Sequence, residues 1–137
     1  MRKLLSILAL ATLSAVSQAA PVVYTLDASH TYPSFEIKHL FSTQRGRFDT
    51  TSGSITLDKE EKTGKLDFSI DINSVNTGFA LRDEHLRGEK LFDSKKYPTM
   101  TFVSKEVVFT NGVLSGADGV LTLRGVSKPI HLKISDF

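Results

Sequence analysis
The sequence predicts an all-β protein, an antiparallel barrel or strongly curved sheet that carries one short helix. Three observations predict it. Apolar and polar residues alternate with period two along much of the chain, most clearly from Lys65 to Val75. Asn111-Gly112 stands between Val108-Phe109 and Val113-Leu114, which is a strong short-range hairpin signal. The stretch Asn76 to Phe92 breaks the alternation and holds a helical segment, Phe79 to Arg87. Closing a sheet of long alternating strands into a barrel removes the edges that would otherwise invite aggregation.

The elements follow in order. Met1-Arg2-Lys3, the apolar run Leu4 to Val16 and Ser17-Gln18-Ala19 form the pattern of a secretory signal peptide. The run is short for a bilayer span, so cleavage is expected after Ala19, or alternatively after Ala20, rather than retention as an anchor. Residues 20–137 then form one domain outside the cytoplasm, periplasmic or secreted. No later segment is long and apolar enough for a span, and no stable membrane insertion is expected.

Val22 to Leu26 is a short β-prone run. Phe35, Ile37 and His39 alternate with Glu36, Lys38 and Leu40, and Ile55 and Leu57 alternate with Ser54, Thr56 and Asp58. From Lys65 to Val75, Leu66, Phe68, Ile70 and Ile72 share one face and Asp67, Ser69, Asp71 and Asn73 the other. At roughly 3.3 Å per residue this predicts a strand about 36 Å long. In the helical segment Asp83 and Arg87 stand at i,i+4 in the favourable order, and Gly88 can end the helix. Tyr97-Pro98 returns the backbone to extended structure. Met100 and Phe102 alternate with Thr99, Thr101 and Val103. Val120 to Leu123 leads into a turn over Arg124 to Lys128, and Pro129 opens a last strand with Ile130, Leu132 and Ile134 on one face.

Composition narrows the function. The chain has 137 residues, one domain's worth, with 40% apolar and 23% charged residues, so it is globular. Lys plus Arg number 17 and Asp plus Glu 15, and loss of Arg2 and Lys3 with the signal leaves 15 against 15. A neutral chain lacks the basic surplus of a nucleic-acid binder. With no cysteine, disulfides, thiolate catalysis and cysteine zinc sites are excluded.

An eight-stranded barrel is either filled by side chains or holds one small ligand. Phe35, Ile37, Leu66, Phe68, Ile70, Ile72, Met100, Phe102, Leu121 and Leu123 are the residues that either line such a channel or fill the core. Each buried CH₂ of a ligand gains roughly 0.8 kcal/mol, so apolar walls suit a long hydrocarbon chain. Arg82, Asp83, His85 and Arg87 form the densest polar cluster. They either face the head group of a ligand at a barrel mouth, or pair Asp83 with Arg87 on a solvated face while Arg82 anchors the helix. His30, His39, His85 and His131 show no metal-ligand spacing, and no metal or cofactor is expected. There is no Gly-x-Ser-x-Gly elbow, and Glu60-Glu61 sits in a turn beside Lys59 and Lys62, so no enzyme is indicated.

Three motifs occur in order. The first is Asp27-x-x-His30-Thr31-Tyr32-Pro33-Ser34-Phe35-x-Ile37-x-His39-Leu40, followed by Gly46-x-Phe48. The second is Asn73-Ser74-Val75-Asn76-Thr77, then Arg82-Asp83-x-His85-Leu86, Leu91-Phe92-Asp93 and Tyr97-Pro98-x-Met100-x-Phe102-x-Ser104. The third is Gly119-Val120-Leu121-Thr122-Leu123-x-Gly125-Val126-x-Lys128-Pro129. In this order the chain resembles the YceI-like family from about Tyr24 to Ile134. The resemblance implies a lipocalin-like antiparallel β-barrel of eight strands, periplasmic or secreted. It also implies a channel that binds a polyisoprenoid or similar amphiphilic lipid, and a function that is not enzymatic. Family members continue past the position of Phe137 with further strands, so the barrel is expected to be incomplete at its C-terminal side. Unpaired edges would favour a homodimer. The alternative function is a stress-response or interaction module with a packed barrel core.

Overall fold
The computed structural model describes residues 20–135. The expected signal peptide lies outside them. The strands are β1 (Val22–Thr25), β2 (Ser34–His39), β3 (Ser42–Phe48), β4 (Thr51–Asp58), β5 (Thr63–Asp71), β6 (Val75–Asn76), β7 (Thr99–Thr110), β8 (Val113–Leu123) and β9 (Val126–Lys133), with one helix, α1 (Ala80–Arg87). All pairings among them are antiparallel. Six strands form a sheet in the order β1-β4-β5-β7-β8-β9, and three form a smaller sheet, β2-β3-β6. The all-β, antiparallel expectation holds, and the closed eight-stranded barrel that the resemblance implies is not formed by the described residues. Among the described residues both sheets are open, because β1 pairs only with β4 and β9 only with β8.

The expected long strand from Lys65 to Val75 is also corrected. β5 ends at Asp71, whose carboxylate accepts a hydrogen bond from the Asn73 amide at 2.8 Å. That cap turns Ile72–Ser74 into a single 3-10 turn before β6 begins. A polar side chain that bonds its own backbone thus overrides the alternation. Ile72 donates instead to the Pro98 carbonyl at 2.9 Å, and the side chain it would have presented as a strand residue is buried.

Two hairpins show primed-turn geometry. Asn111 and Gly112 have φ of +52° and +80°, and Arg124 and Gly125 have +51° and +74°. Positive φ at both positions matches the twist of the flanking strands. The second turn is tighter than the sequence predicts, two residues rather than Arg124 to Lys128, and β9 therefore begins at Val126. Pro129 lies inside β9 rather than at its start. The Ile134 amide donates to the Ser115 carbonyl at 2.9 Å, which fixes the alternation of the β8–β9 ladder. By that alternation residue 129 points away from β8, so a proline there removes no ladder bond. Asp118 and His131 fall at a close, non-bonded pair, and their side chains meet at 2.7 Å.

Opposed residues share a face of a sheet. The register Ile55↔Leu66, Phe68↔Phe102, Ile70↔Met100 and Phe102↔Leu121 therefore places these residues on one inner face. A bulge between Ser104 and Glu106 shifts the phase of β7 by one residue. Val107 consequently joins the inner face, opposite Ala117, and Glu106 stays outside. Beside the bulge, the buried Ser104 hydroxyl accepts the Leu66 amide at 2.6 Å and satisfies a donor beyond the end of the β5–β7 ladder.

Candidate functional site
The inner face carries two apolar clusters. One joins Leu66, Phe102 and Ala117, with Ile55, Phe68, Val107, Leu121, Ile130, Leu132 and Ile134 packed around them. The other joins Phe48, Ile70, Ile72 and Val75, with Phe35, Leu86, Phe92, Met100 and Leu123 around them. The second cluster holds the two sheets together. Phe35 and Phe48 come from the small sheet, Ile70, Met100 and Leu123 from the large one, and Leu86 from α1. Phe48 contacts Phe35 at 5.7 Å and Phe92 at 5.9 Å between ring centroids, distances at which tilted and edge-on ring pairs are favourable.

The ten apolar candidates divide by exposure. Leu66, Ile70, Ile72 and Phe102 are buried, and their side chains are consumed by the core. Phe35, Phe68, Met100, Leu121 and Leu123 are half-buried. Each keeps part of its apolar surface accessible. Ile37 is 53% exposed, away from both clusters. Ile55, Ile130, Leu132 and Ile134 belong to the same half-buried surface and were not among the residues the sequence singled out as a site. Their alternation was visible, but only the register shows that Ile55, Leu132 and Ile130 stand opposite Leu66, Ala117 and Gly119.

The polar cluster is largely structural. Asp83 is buried, and its Oδ1 accepts from the Thr77 amide at 2.9 Å and the Thr77 hydroxyl at 2.5 Å. No ion pair joins it to Arg87, so that expected pairing is corrected. Capping the chain that enters the helix takes the carboxylate instead. Arg82 donates from Nε to the Thr77 hydroxyl and from Nη2 to the Thr77 carbonyl, at 2.8 and 2.9 Å. Its Nη1 reaches Gln44 on β3. The guanidinium thus ties α1 to β3 and to the residue that follows β6, its neighbour in the small sheet. His85 is exposed. Arg87 lines a cavity of about 470 Å³ with Gly88, Glu89, Asp93, Lys95 and Lys96, three cations against two carboxylates. Leu86 and Phe92, which pack on the second apolar cluster, adjoin Arg87 and Asp93 in sequence, but the cavity itself is lined by polar residues and Gly88.

Asp83→Ala leaves the Thr77 amide and hydroxyl without their acceptor. The expected loss is about 2–3 kcal/mol of unfolding free energy, read as a lower urea midpoint with an unchanged slope. Asp49 gives a pH signature close by. The Asn76 side-chain amide, donating at 2.8 Å, holds its carboxyl below the ordinary 3.8, and Arg47 adds to this at 2.6 Å. A depressed folded-state value stabilises the fold above pH 3.8 and is lost as pH falls from there through the depressed value. Asn76→Ala is expected to raise the Asp49 value towards 3.8, as followed by NMR titration of the carboxyl carbon.

Among the described residues no three His, Asp or Glu side chains come together as a metal cage. His30 bonds Asp27 at 2.8 Å and His131 bonds Asp118 at 2.7 Å, each as an exposed pair. No helix among the described residues is long and apolar enough to cross a membrane.

The motif order and the fold agree with known proteins. A YceI-like domain matches residues 24–136. A UPF0312 protein of Pseudomonas aeruginosa is 41% identical over 97% of this chain and 72% of its own length. A Campylobacter jejuni YceI protein is 42% identical with a TM-score of 0.60, covering 79% of this chain and 64% of that one. Burkholderia cenocepacia BcnA is 25% identical with a TM-score of 0.71, covering 77% and 67%. A polyisoprenoid binding domain from Saccharophagus degradans is 28% identical with a TM-score of 0.57, covering 78% and 63%. The chain thus spans about two thirds of the length of these solved structures. With a family match across nearly all of the described fold, the chain belongs to the YceI-like domain family.

Proposed function
We propose that this protein is a periplasmic or secreted, non-enzymatic binding protein that holds a polyisoprenoid or similar long-chain lipid along the inner face of its large sheet. The observation that carries this reading is the half-buried apolar surface formed by Ile55, Phe68, Leu121, Ile130, Leu132 and Ile134 over a buried floor of Leu66, Phe102 and Ala117. A floor of this kind is rigid, while the walls keep surface to give to a ligand. Covering it recovers roughly 25 cal/mol per Å² of apolar area and asks for no polar partner along the chain. The name of the Saccharophagus domain supports the same ligand class.

The head group is assigned to the cavity at Arg87. Arg82 and Asp83 are committed to Thr77 and Gln44, which leaves Arg87, with Lys95 and Lys96, to meet a phosphate or carboxylate. Native mass spectrometry of the protein from a bacterial envelope extract, followed by solvent extraction, tests the reading. A discrete adduct recovered as an isoprenoid or other long-chain lipid supports it. A folded protein that is always empty refutes it and favours an interaction module with a packed interior.

A further inference from the structure
The hairpin formed by β2 and β3 ends in a two-residue turn, Leu40-Phe41, closed by the pair His39↔Ser42. Leu40 is 86% exposed and Phe41 fully exposed. Turns are normally polar or glycine-rich. Leu40 moreover has φ of +53°, a left-handed conformation that is unfavourable for a leucine. The fold obtains no burial from either side chain in return. Ile37 and Phe79 are more than half exposed on the same side of the hairpin. Ile37 is opposite Gln44, which bonds Arg82, and the Arg82 guanidinium lies 5.9 Å from the Phe79 ring.

Charge at the hairpin is concentrated next to its tip. On the face opposite to Phe35 and Ile37, Arg45 pairs with Glu36 and Arg47 with Asp49, each at 2.6 Å. Among the described residues Lys38, two positions before Leu40, pairs with no acid. An apolar point with an unpaired lysine beside it matches the boundary of an anionic bilayer, where acyl chains lie beneath phosphates. Two large apolar side chains projecting into water also mark an interaction site.

We propose that the β2–β3 hairpin docks the protein on the surface of a bilayer that contains anionic phospholipid, with Leu40 and Phe41 inserted at the interface. This rests on the hairpin alone and does not depend on what the inner face holds. The sequence has no tryptophan, so F41W supplies a single reporter at the tip. It is mixed, in the full chain, with vesicles of phosphatidylcholine and phosphatidylglycerol at seven to three. A blue shift of emission and quenching by brominated acyl chains are expected. V113W, in an exposed position on a different hairpin, is expected to show neither. L40N introduced into F41W suits the left-handed turn and should leave the melting curve intact, yet lower vesicle partitioning at least tenfold.

The reporter reads the tip itself, so attachment of the chain through any other segment leaves F41W unshifted and overturns the proposal. Equal shifts in F41W and V113W overturn it as well, as does an L40N variant that partitions like its parent. A reporter already blue-shifted without vesicles, in a protein that sediments as a dimer, would mean that the tip is covered by a second copy. An empty inner face with a shifted reporter would refute only the cargo reading.

Discussion

Phe102→Ala is expected to lower the unfolding free energy by about 3–5 kcal/mol, the range for truncating a buried phenylalanine to alanine. Phe102 is buried at the centre of the large sheet, opposite Phe68 on β5 and Leu121 on β8. Its ring lies 6.3 Å from that of Phe68. On its other side it fills the space over Gly119, where an added Cβ would stand 2.6 Å from the Phe102 ring. Truncation therefore opens a cavity that a glycine backbone cannot collapse into. Denaturant melts followed by far-UV circular dichroism measure the effect. A loss below 1 kcal/mol would mean that the neighbouring strands close the gap, and that the inner face is softer than its packing shows.

Phe68→Asp is expected to abolish lipid retention while leaving the protein folded. Phe68 shares the inner face with Phe102 but is only half-buried, so an aspartate there can reach water in the empty state. With a hydrocarbon chain laid across the face, the carboxylate would be covered without a partner. That costs several kcal/mol, and each 1.4 kcal/mol is a factor of ten in affinity. The measurement is the amount of lipid co-extracted with the purified, folded variant. Undiminished lipid in a folded Phe68→Asp protein would show that the chain does not lie along this face.

The β-rich fold was legible because its strands alternate and most of its turns use turn residues. β5 and the Asn111-Gly112 hairpin could be read from local pattern alone. The features that escaped have local causes of a different kind. The break at Asp71 depends on one carboxylate choosing its own backbone over the strand. The Leu40-Phe41 turn carries none of the residues that mark turns, and its alternation runs into the tip unbroken. The Arg124-Gly125 turn was read as longer than it is, because Pro129 suggested a strand start where the ladder tolerates a proline. Whether the sheet closes depends on which edges meet, which alternation does not encode.

The site was legible as a set of residue types and not as a surface. Period two put Leu66, Phe68, Ile70 and Ile72 on one side, but could not separate the buried floor from the half-exposed wall. That separation comes from the register between distant strands, which also brings Ile55, Ile130 and Leu132 to the same face. Arg82 and Asp83 read as a binding pair because their chemistry suits one. Their role in joining α1 to the small sheet depends on Thr77 and Gln44, which lie up to 38 positions away.

The β2–β3 hairpin is attached to the rest of the chain lightly. β3 meets β6 only at Arg47↔Asn76 and Phe48↔Val75, and beyond Phe35 and Phe48 the hairpin contributes nothing to either apolar cluster. Its outer half is held to the body by the Arg82–Gln44 bond. Amides of β2 and β3 should then exchange with solvent deuterium through a local opening, well ahead of those in β5 and β7, which give up protection only with the whole fold. Such an opening detaches the tip without disturbing the floor of the large sheet. Exchange in that order would divide the protein into two cooperative units of unequal lifetime, the briefer of which carries the Leu40-Phe41 turn.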